Sequence, residues 1–536
     1  MNQTPVLASI VVIFLTYYFI LHSAFFPPLA KIPNAHWSAP YSRLWILNIR
    51  YSNRENRTLH AAHKRLGPVI RVAPYELSID DNDCVRTVYQ GGFDKSTWYS
   101  VFDNYGVPCM FSTRPGKEHS VRKRWISHVY SKSHIHTSPA AASQARTILF
   151  SRLLPIIESS ISSPQPQPLD VHSLFLAATM DFISSYVFGL ATATNFLDDL
   201  SYREHWLELY KSRNNHGFYD QELPRLTAIC RRVGIPFCPR HVDQANAELG
   251  EWCMRIVRRT HEMLRHGDST TPADKPTVLA ALLAGMSREE EAHGTASPAY
   301  RTTAAVVPRE EAVASELFDH VLAGQETAGV ALTYLTWRLS RDLGLQRRLR
   351  EELLSLEPNV RLATTTGRAT AGAPSLPDPK ALDSLPLFQA VVMETLRLHA
   401  PIPGPQPRIT PPGGCLLGRH EVPGGVRVAA LAYALHRDER IFPEPDEWDY
   451  TRWMDGGDAT TEEMRERKRA FWAFSSGGRM CIGSNFAMHE MKLIVAAIYS
   501  NYTTHVVDDD GLAEQSDGYT SRPARERLLL RFERIE

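Results

Sequence analysis

The sequence predicts a mainly α-helical domain standing behind an N-terminal membrane helix, and three observations carry that expectation. Residues Pro5 to Phe26 run 22 positions without a charged side chain, enough for the ~20 residues that cross a hydrocarbon core. Residues Glu311 to Asp342 give 32 helix-patterned positions without proline, or roughly 48 Å of helix at 1.5 Å per residue. Strand-like alternation is confined to short stretches near residue 70 and after residue 400.

The elements follow in order. No basic residue precedes the first apolar run, and the first cations, Lys31, Arg43 and Arg50, all come after it. A signal peptide would begin basic and carry a shorter apolar region of about 7–15 residues. Residues 1–26 therefore read as an uncleaved anchor, with the rest of the chain on the cytosolic side. Prolines 27, 28, 33 and 40 make residues 27–44 a semi-rigid linker. Residues 45–536 then form a single domain. Within it, Gly67 to Ile79 alternates β-branched residues with turn formers and reads as a pair of strands. From about 115 to 260 the patterning is helical, broken by the Ser/Pro/Gln-rich stretch 158–168. Residues 286–310 and 359–380 read as exposed connections.

Composition removes several functions. Hydrophobic residues make up 43% of the chain, so a large core is available, while Lys plus Arg equals Asp plus Glu at 59 each. That balance offers no basic excess for nucleic acid. The seven cysteines are odd in number, scattered and never in a C-x-x-C pair, which disfavours a disulfide scaffold and suits a reducing compartment. Neither a G-x-G-x-x-G fingerprint nor a G-K-[ST] loop is present.

The chemistry concentrates in Phe474-Ser-Ser-Gly477-Gly478-Arg479-Met-Cys481-Ile-Gly483. Glycines let this loop fold tightly around a bulky group, and a following helix aims its N-terminal N–H groups at the sulfur, favouring thiolate. A single cysteine with no neighbouring ligand excludes the usual zinc and iron–sulfur frameworks. Haem held by one axial thiolate is the best chemical reading. Mid-way along the long apolar helix sits Ala323-Gly324-Gln325-Glu326-Thr327. Gly324 weakens a helix by up to about 1 kcal/mol, and a buried acid and hydroxyl need partners. The segment reads either as a kink with a bonded polar pair, or as an opening where Glu326 and Thr327 relay protons to oxygen. Glu394-Thr-Leu-Arg397 places opposite charges one turn apart on a helix over Leu387–His399, ahead of the proline-rich run 400–408. The same spacing at Glu222/Arg225, Glu462/Arg465 and Glu466/Arg469 reads as exposed charge.

In this order the motifs resemble the cytochrome P-450 family of haem-thiolate monooxygenases, over nearly everything after the anchor. F-x-x-G-x-R-x-C-x-G is matched in full, A/G-G-x-D/E-T at 323–327, and E-x-x-R at 394–397. The family's W-x-x-x-R falls near His119–Lys123, with histidine for tryptophan, lysine for arginine, and Arg124 as an alternative to Lys123. The resemblance implies the cytochrome P-450 fold, a helical domain with small β-sheets. It implies haem b with its iron on Cys481 in a loop shaped by Phe474, Gly477 and Gly483. Arg479, Arg408, His119 and Lys123 would neutralise the propionates. Ala323 and Gly324 would keep the helix thin over the iron, while Thr327 and Glu326 handle protons. Glu394, Arg397 and Arg452 would form a structural triad.

Electrons must then arrive from NADPH through a separate NADPH-cytochrome P-450 reductase, with cytochrome b5 as a further donor. Arg465, Arg467, Lys468 and Arg469, together with Arg122–Arg124, form a candidate docking patch. The implied location is the endoplasmic reticulum membrane, single-pass, with the catalytic domain cytosolic. Trp98, Phe102, Tyr105, Met110 and Phe111 favour a lipophilic substrate unless they are plain core. The general look resembles fungal enzymes that make secondary metabolites such as terpenoids or polyketides. The alternative activity is rearrangement, dehydration or reduction on the same haem without oxygen insertion.

Overall fold

The computed structural model describes residues 28–267, 271–293, 308–362, 375–454 and 460–535. The expected anchor, Pro5 to Phe26, lies outside the described residues, as do 294–307 and 363–374 of the two expected connections. Residues 286–293 are a correction: they complete the helix Thr277–His293, and Met286 is buried.

The centre of the domain is a pair of helices, Val171–Phe188 and Arg309–Ser340, packed along much of their length. Every residue of Val171–Phe188 except Ser173 is buried. It is the only helix among the described residues long and apolar enough to cross a membrane, but 94% of that stretch is inside the protein; it is a core helix. Its one acid, Asp181, is stabilised by donors: the Phe196 N–H (2.8 Å), the Thr194 hydroxyl (2.7 Å) and Arg152 (3.1 Å). Burial nevertheless lifts its pKa to about 6.

Two glycines let the helices approach. A Cβ on Gly324 would stand 2.6 Å from Ile183 Cγ1, and one on Gly329 would stand 2.8 Å from Leu176 Cδ2. Because 324 meets 183 while 329 meets 176, the two helices run antiparallel. The Thr179 hydroxyl crosses the seam to the Gln325 carbonyl at 2.7 Å.

Strands occupy the periphery. β1 (Val69–Ala73) and β2 (Glu76–Ile79) are the expected hairpin. With β3 (Asp94–Lys95), β5 (Arg408–Ile409) and β8 (Arg427–Ala430) they form a sheet ordered β1-β2-β8-β5-β3. Only β2–β8 is parallel among its pairings. β4 (Leu169–Asp170), β10 (Leu529–Arg534) and β9 (Tyr502–Asp508) form a second sheet in the order β4-β10-β9, and β6 (Cys415–Leu417) pairs with β7 (His420–Val422). The connection from β9 to β10 matters for function, because it carries Tyr519, Thr520 and Arg522 back towards the long helix.

Glu222 is a second correction. Instead of pairing with Arg225 on the surface, it is buried among Arg43 (2.9 Å), Arg50 (3.1 Å) and Arg427 (3.4 Å). Three cations from the chain start and the large sheet outcompete a helical neighbour for one carboxylate.

Candidate active site

The cysteine loop is built by backbone constraints. Gly477 has φ +73°, and a Cβ there would lie 2.2 Å from the Tyr89 carbonyl oxygen, so the position accepts only glycine. The Cys481 N–H donates to the Phe474 carbonyl at 2.9 Å, while the half-buried Phe474 ring packs on the main core. Gly483 caps the helix Ser484–Tyr499, and the N–H groups of Gly483 and Ser484 point at the Cys481 sulfur. Burial pushes the thiol pKa up; those N–H groups and the Lys123 ammonium pull it back. Cys481 is nonetheless accessible. A side chain both deep in the protein and accessible borders an internal hollow.

The charge of Asp319, on the long helix, reaches the Cys481 thiol. The middle of that helix is buried except at Ala323, which is exposed, and at Asp319, Leu322, Gly324 and Thr327, which are half-buried. Ala323 and Thr327 lie one turn apart on one face. The Thr327 hydroxyl donates to the Ala323 carbonyl at 2.7 Å, leaving its oxygen free to accept. The helix runs unbroken through 323–327, so the expected opening is absent. The missing side chain of Gly324 makes room for Ile183 of the neighbouring helix. Glu326, about 100° round the helix from Thr327, is buried and ion-paired to Arg522. It accepts from the Tyr210 hydroxyl (2.7 Å) and the Thr520 hydroxyl (3.1 Å).

An accessible cysteine in a glycine-rich loop, with an unbroken long helix that leaves Ala323 and Thr327 uncovered, agrees with the order of motifs along the chain. The sequence profile of the family described as Cytochrome P450 matches residues 44–527. The chain belongs to the cytochrome P450 family. It is similar to cytochrome P450 monooxygenase avaI of Aspergillus versicolor, 29% identical over 81% of this chain and 94% of the relative. It is also similar to cytochrome P450 monooxygenase hkm5 of Aspergillus hancockii, 26% identical over 94% and 90%. A third relative, cytochrome P450 monooxygenase FGM1 of Gibberella zeae, is 25% identical over 89% and 87%. The chain is accordingly an oxidoreductase of the monooxygenase type, and a cytochrome P450 carries haem on a cysteine thiolate.

The residues of this P450 fit that group. Beside the hollow, positive charge accumulates in the interior with little to balance it. Arg408 is buried and donates only to oxygens that carry no full charge: the Tyr99 hydroxyl (2.9 Å) and the carbonyls of Pro407 (3.1 Å) and Gln406 (3.4 Å). Arg479 donates to the Thr113 carbonyl (2.7 Å) and has one distant acid, Asp94, at 3.9 Å. Lys95, buried, donates to the Phe111 carbonyl. His119 is buried in the same field; burial, then Arg479, Lys95 and Lys123, drive its pKa down to about 2. A dianionic edge is what such a cluster lacks. Lys123 turns inward and donates to the Gly478 carbonyl at 2.8 Å, whereas Arg124 is exposed. Of the two alternatives, Lys123 is the one that contacts the cysteine loop.

Lys95 was not legible in the sequence. It sits on a two-residue strand, and only the pairing of β3 with β5, Lys95 opposite Arg408, brings it to the cluster. Arg522, Tyr210 and Thr520 were missed for the same reason: each reaches Glu326 from far along the chain.

Two further expectations change. Arg122 leaves the surface patch, being buried and paired with Glu316 at 3.5 Å. Arg467 is half-buried and donates to the Arg452 carbonyl at 2.9 Å, while Arg465 and Arg469 share Glu462. The triad, by contrast, is complete. Arg397 grips Glu394 through two 2.8 Å bonds, and Arg452 reaches the same carboxylate at 3.3 Å. Arg397 also donates to the carbonyls of His436, Pro445 and Glu447, pinning the segment that leads to the cysteine loop.

Proposed function

We propose that Cys481 is the thiolate ligand of this P450, and that its substrate is a lipophilic molecule admitted between Cys481 and the Ala323–Thr327 face. Haem, when bound, supplies activation of molecular oxygen, one atom of which enters the substrate by hydroxylation, epoxidation or successive oxidations. The chain's own residues do the rest. Arg408, Arg479, His119 and Lys123, joined by Lys95, would hold the two haem propionates. Thr327 offers its oxygen lone pairs to the hollow. Glu326 accepts hydrogen bonds from the Tyr210 and Thr520 hydroxyls and pairs with Arg522, so it joins the long helix to groups that could pass protons. The aromatic wall of Trp98, Tyr99, Phe102, Phe111 and Tyr519 excludes water and selects an apolar skeleton. Tyr105 and Met110 belong to packing instead: the Tyr105 hydroxyl donates to the Gly250 carbonyl at 2.6 Å, and Met110 is in the main core.

The carrying observation is that Cys481, accessible at the head of a helix, feels the field of Asp319, on the face of the long helix that also carries the exposed Ala323. The physiological setting follows from the apolar segment 5–26: anchored in the endoplasmic reticulum membrane, cytosolic catalytic domain, reduced by NADPH-cytochrome P-450 reductase with cytochrome b5 as a second donor. Lys468 and Arg124, both exposed, are the proposed docking cations. The substrate would be a fungal secondary metabolite such as a terpenoid or polyketide intermediate.

Incubating the enzyme, reductase and NADPH with a metabolite extract under isotopically heavy oxygen tests the reading by mass spectrometry. The expected product gains one heavy oxygen atom; a product isomerised or dehydrated without that gain would refute it. Charge reversal at Lys468 and Arg124 should slow reduction several-fold and flatten its dependence on salt.

A further inference from the structure

Arg213 is a cation in the interior whose charge nothing nearby fully balances. It belongs to the helix Leu200–Asn215, whose Tyr210 bonds Glu326 on the long helix. One Nη2–H donates to the Asn104 side-chain oxygen at 3.0 Å, and the guanidinium lies 5.4 Å from the centre of the Phe318 ring. Neither partner carries a charge. Among the described residues no carboxylate stands within ion-pair distance of Arg213. The acid whose field reaches it, Asp319, also faces Lys95 and bonds the Cys109 thiol.

The position is telling. Asp319, Ala323 and Thr327 recur at four-residue spacing, so all three lie on one face of the long helix. Phe318 and the loop residue Asn104 hold Arg213 beside that face. Asn104 is itself buried and fixed, its amide donating to the carbonyls of Ser315 and Phe102 at 3.3 Å each. It orients the guanidinium but uses one of five N–H donors. Arg213 is half-buried by accessibility although protein surrounds it closely enough to lower its pKa. As with Cys481, that combination marks a side chain lining an internal space. A simple tie between helix and loop would need only a neutral amide, and a desolvated, unpaired charge is costly.

We propose that Arg213 is the specificity residue for an anionic oxygen group on the substrate, a carboxylate, bound at the end of an otherwise aromatic chamber. The inference rests on the haem-thiolate reading above and names the substrate class more narrowly: a lipophilic acid. The Arg213 fork takes the two carboxylate oxygens side by side, in the planar geometry that guanidinium and carboxylate share. Asn104 holds the fork, and the aromatic wall takes the skeleton. Anchoring one end in this way fixes which carbon is presented between Thr327 and Cys481.

The test uses purified holoenzyme and matched ligand pairs: dodecanoate with dodecanol, and 2-naphthoate with 2-naphthylmethanol. Each is titrated against the ferric Soret shift, and affinities are checked by calorimetry. In the native enzyme each carboxylate should bind about ten-fold tighter than its alcohol, the size of one charge-assisted hydrogen-bond pair. Arg213→Gln should abolish that preference while leaving alcohol affinities within about three-fold, and Arg213→Lys should retain part of it. The reduced carbon monoxide spectrum of each sample reports the thiolate separately, so loss of that band would speak against the haem reading, not the arginine. With the band intact, carboxylates that bind no better than their alcohols, or a preference that survives Arg213→Gln, overturn the assignment.

Discussion

At the scale of single residues, glycines separate the roles most cleanly. Gly477 and Gly478 are neighbours in the cysteine loop, yet a Cβ on the first meets the Tyr89 carbonyl at 2.2 Å while one on the second meets nothing within 4 Å. Gly477→Ala should therefore abolish haem incorporation, read as the ratio of Soret to protein absorbance, and Gly478→Ala should retain it. Gly324 gives a sharper contrast between local and tertiary effects. Alanine would favour the helix by about 1 kcal/mol, but the clash with Ile183 costs about 1–3 kcal/mol. Gly324→Ala should lower the thermal midpoint, and adding Ile183→Ala should recover part of the loss. If Gly324→Ala alone raised the midpoint, the packing account of this residue would fail. The sequence names Gly324 correctly as unusual in a helix; which neighbour explains it is decided 141 residues earlier, at Ile183, and no local pattern shows that.

At the scale of elements, the segment before the cysteine loop hangs on His436. Its Nε2 accepts from the Trp472 N–H at 2.7 Å, and its Nδ1–H donates to the Arg397 carbonyl at 2.8 Å. The Trp472 bond needs the neutral ring, because a protonated Nε2 cannot accept. Burial, with Arg397 adding to it, lowers the pKa from 6.5 to about 3. Between those values the unfolded chain binds the extra proton, so stability rises with pH through the window, is complete above 6.5, and is lost on acidification. One such group contributes a slope of up to about 1.4 kcal/mol per pH unit. Denaturant midpoints measured from pH 6.5 down to 4 should fall steadily, and His436→Gln should reduce the slope by up to one proton. An unchanged slope would mean that His436 is not the titrating link. The E-x-x-R helix that His436 bonds was legible because its charges sit one turn apart. His436 itself was not, since its partners lie 36 and 39 positions away.

At the scale of the whole molecule, long periodic segments were readable and assembled contacts were not. The 32-residue helix appears at Arg309–Ser340, two residues ahead of its expected start, and the strand pair near residue 70 is in place. Apolar periodicity over many turns fixes such elements with little help from their surroundings. The two-residue strands at 94–95 and 169–170 carry no such signal; pairing partners make them, and β3 is what delivers Lys95. The same holds for the site. Cys481, Arg479 and Thr327 sit in motifs, whereas Arg213, Lys95 and Arg522 meet their neighbours only when distant segments come together. Removing residues 1–26 should release the protein from membranes into the soluble fraction with its haem spectrum unchanged. If the truncated protein still sedimented with membranes, the anchor would not be the sole attachment.

Thiolate ligation by Cys481 is the claim on which the rest depends, and the carbon monoxide difference spectrum of the reduced holoenzyme tests it directly. The wild-type protein should show the strongly red-shifted Soret band of a thiolate-bound haem. Cys481→His should lose that band and show an imidazole-type spectrum, while serine at each of the other six cysteines should leave the red-shifted band in place. A red-shifted band that survives Cys481→His, or a wild type that lacks it, would contradict the account.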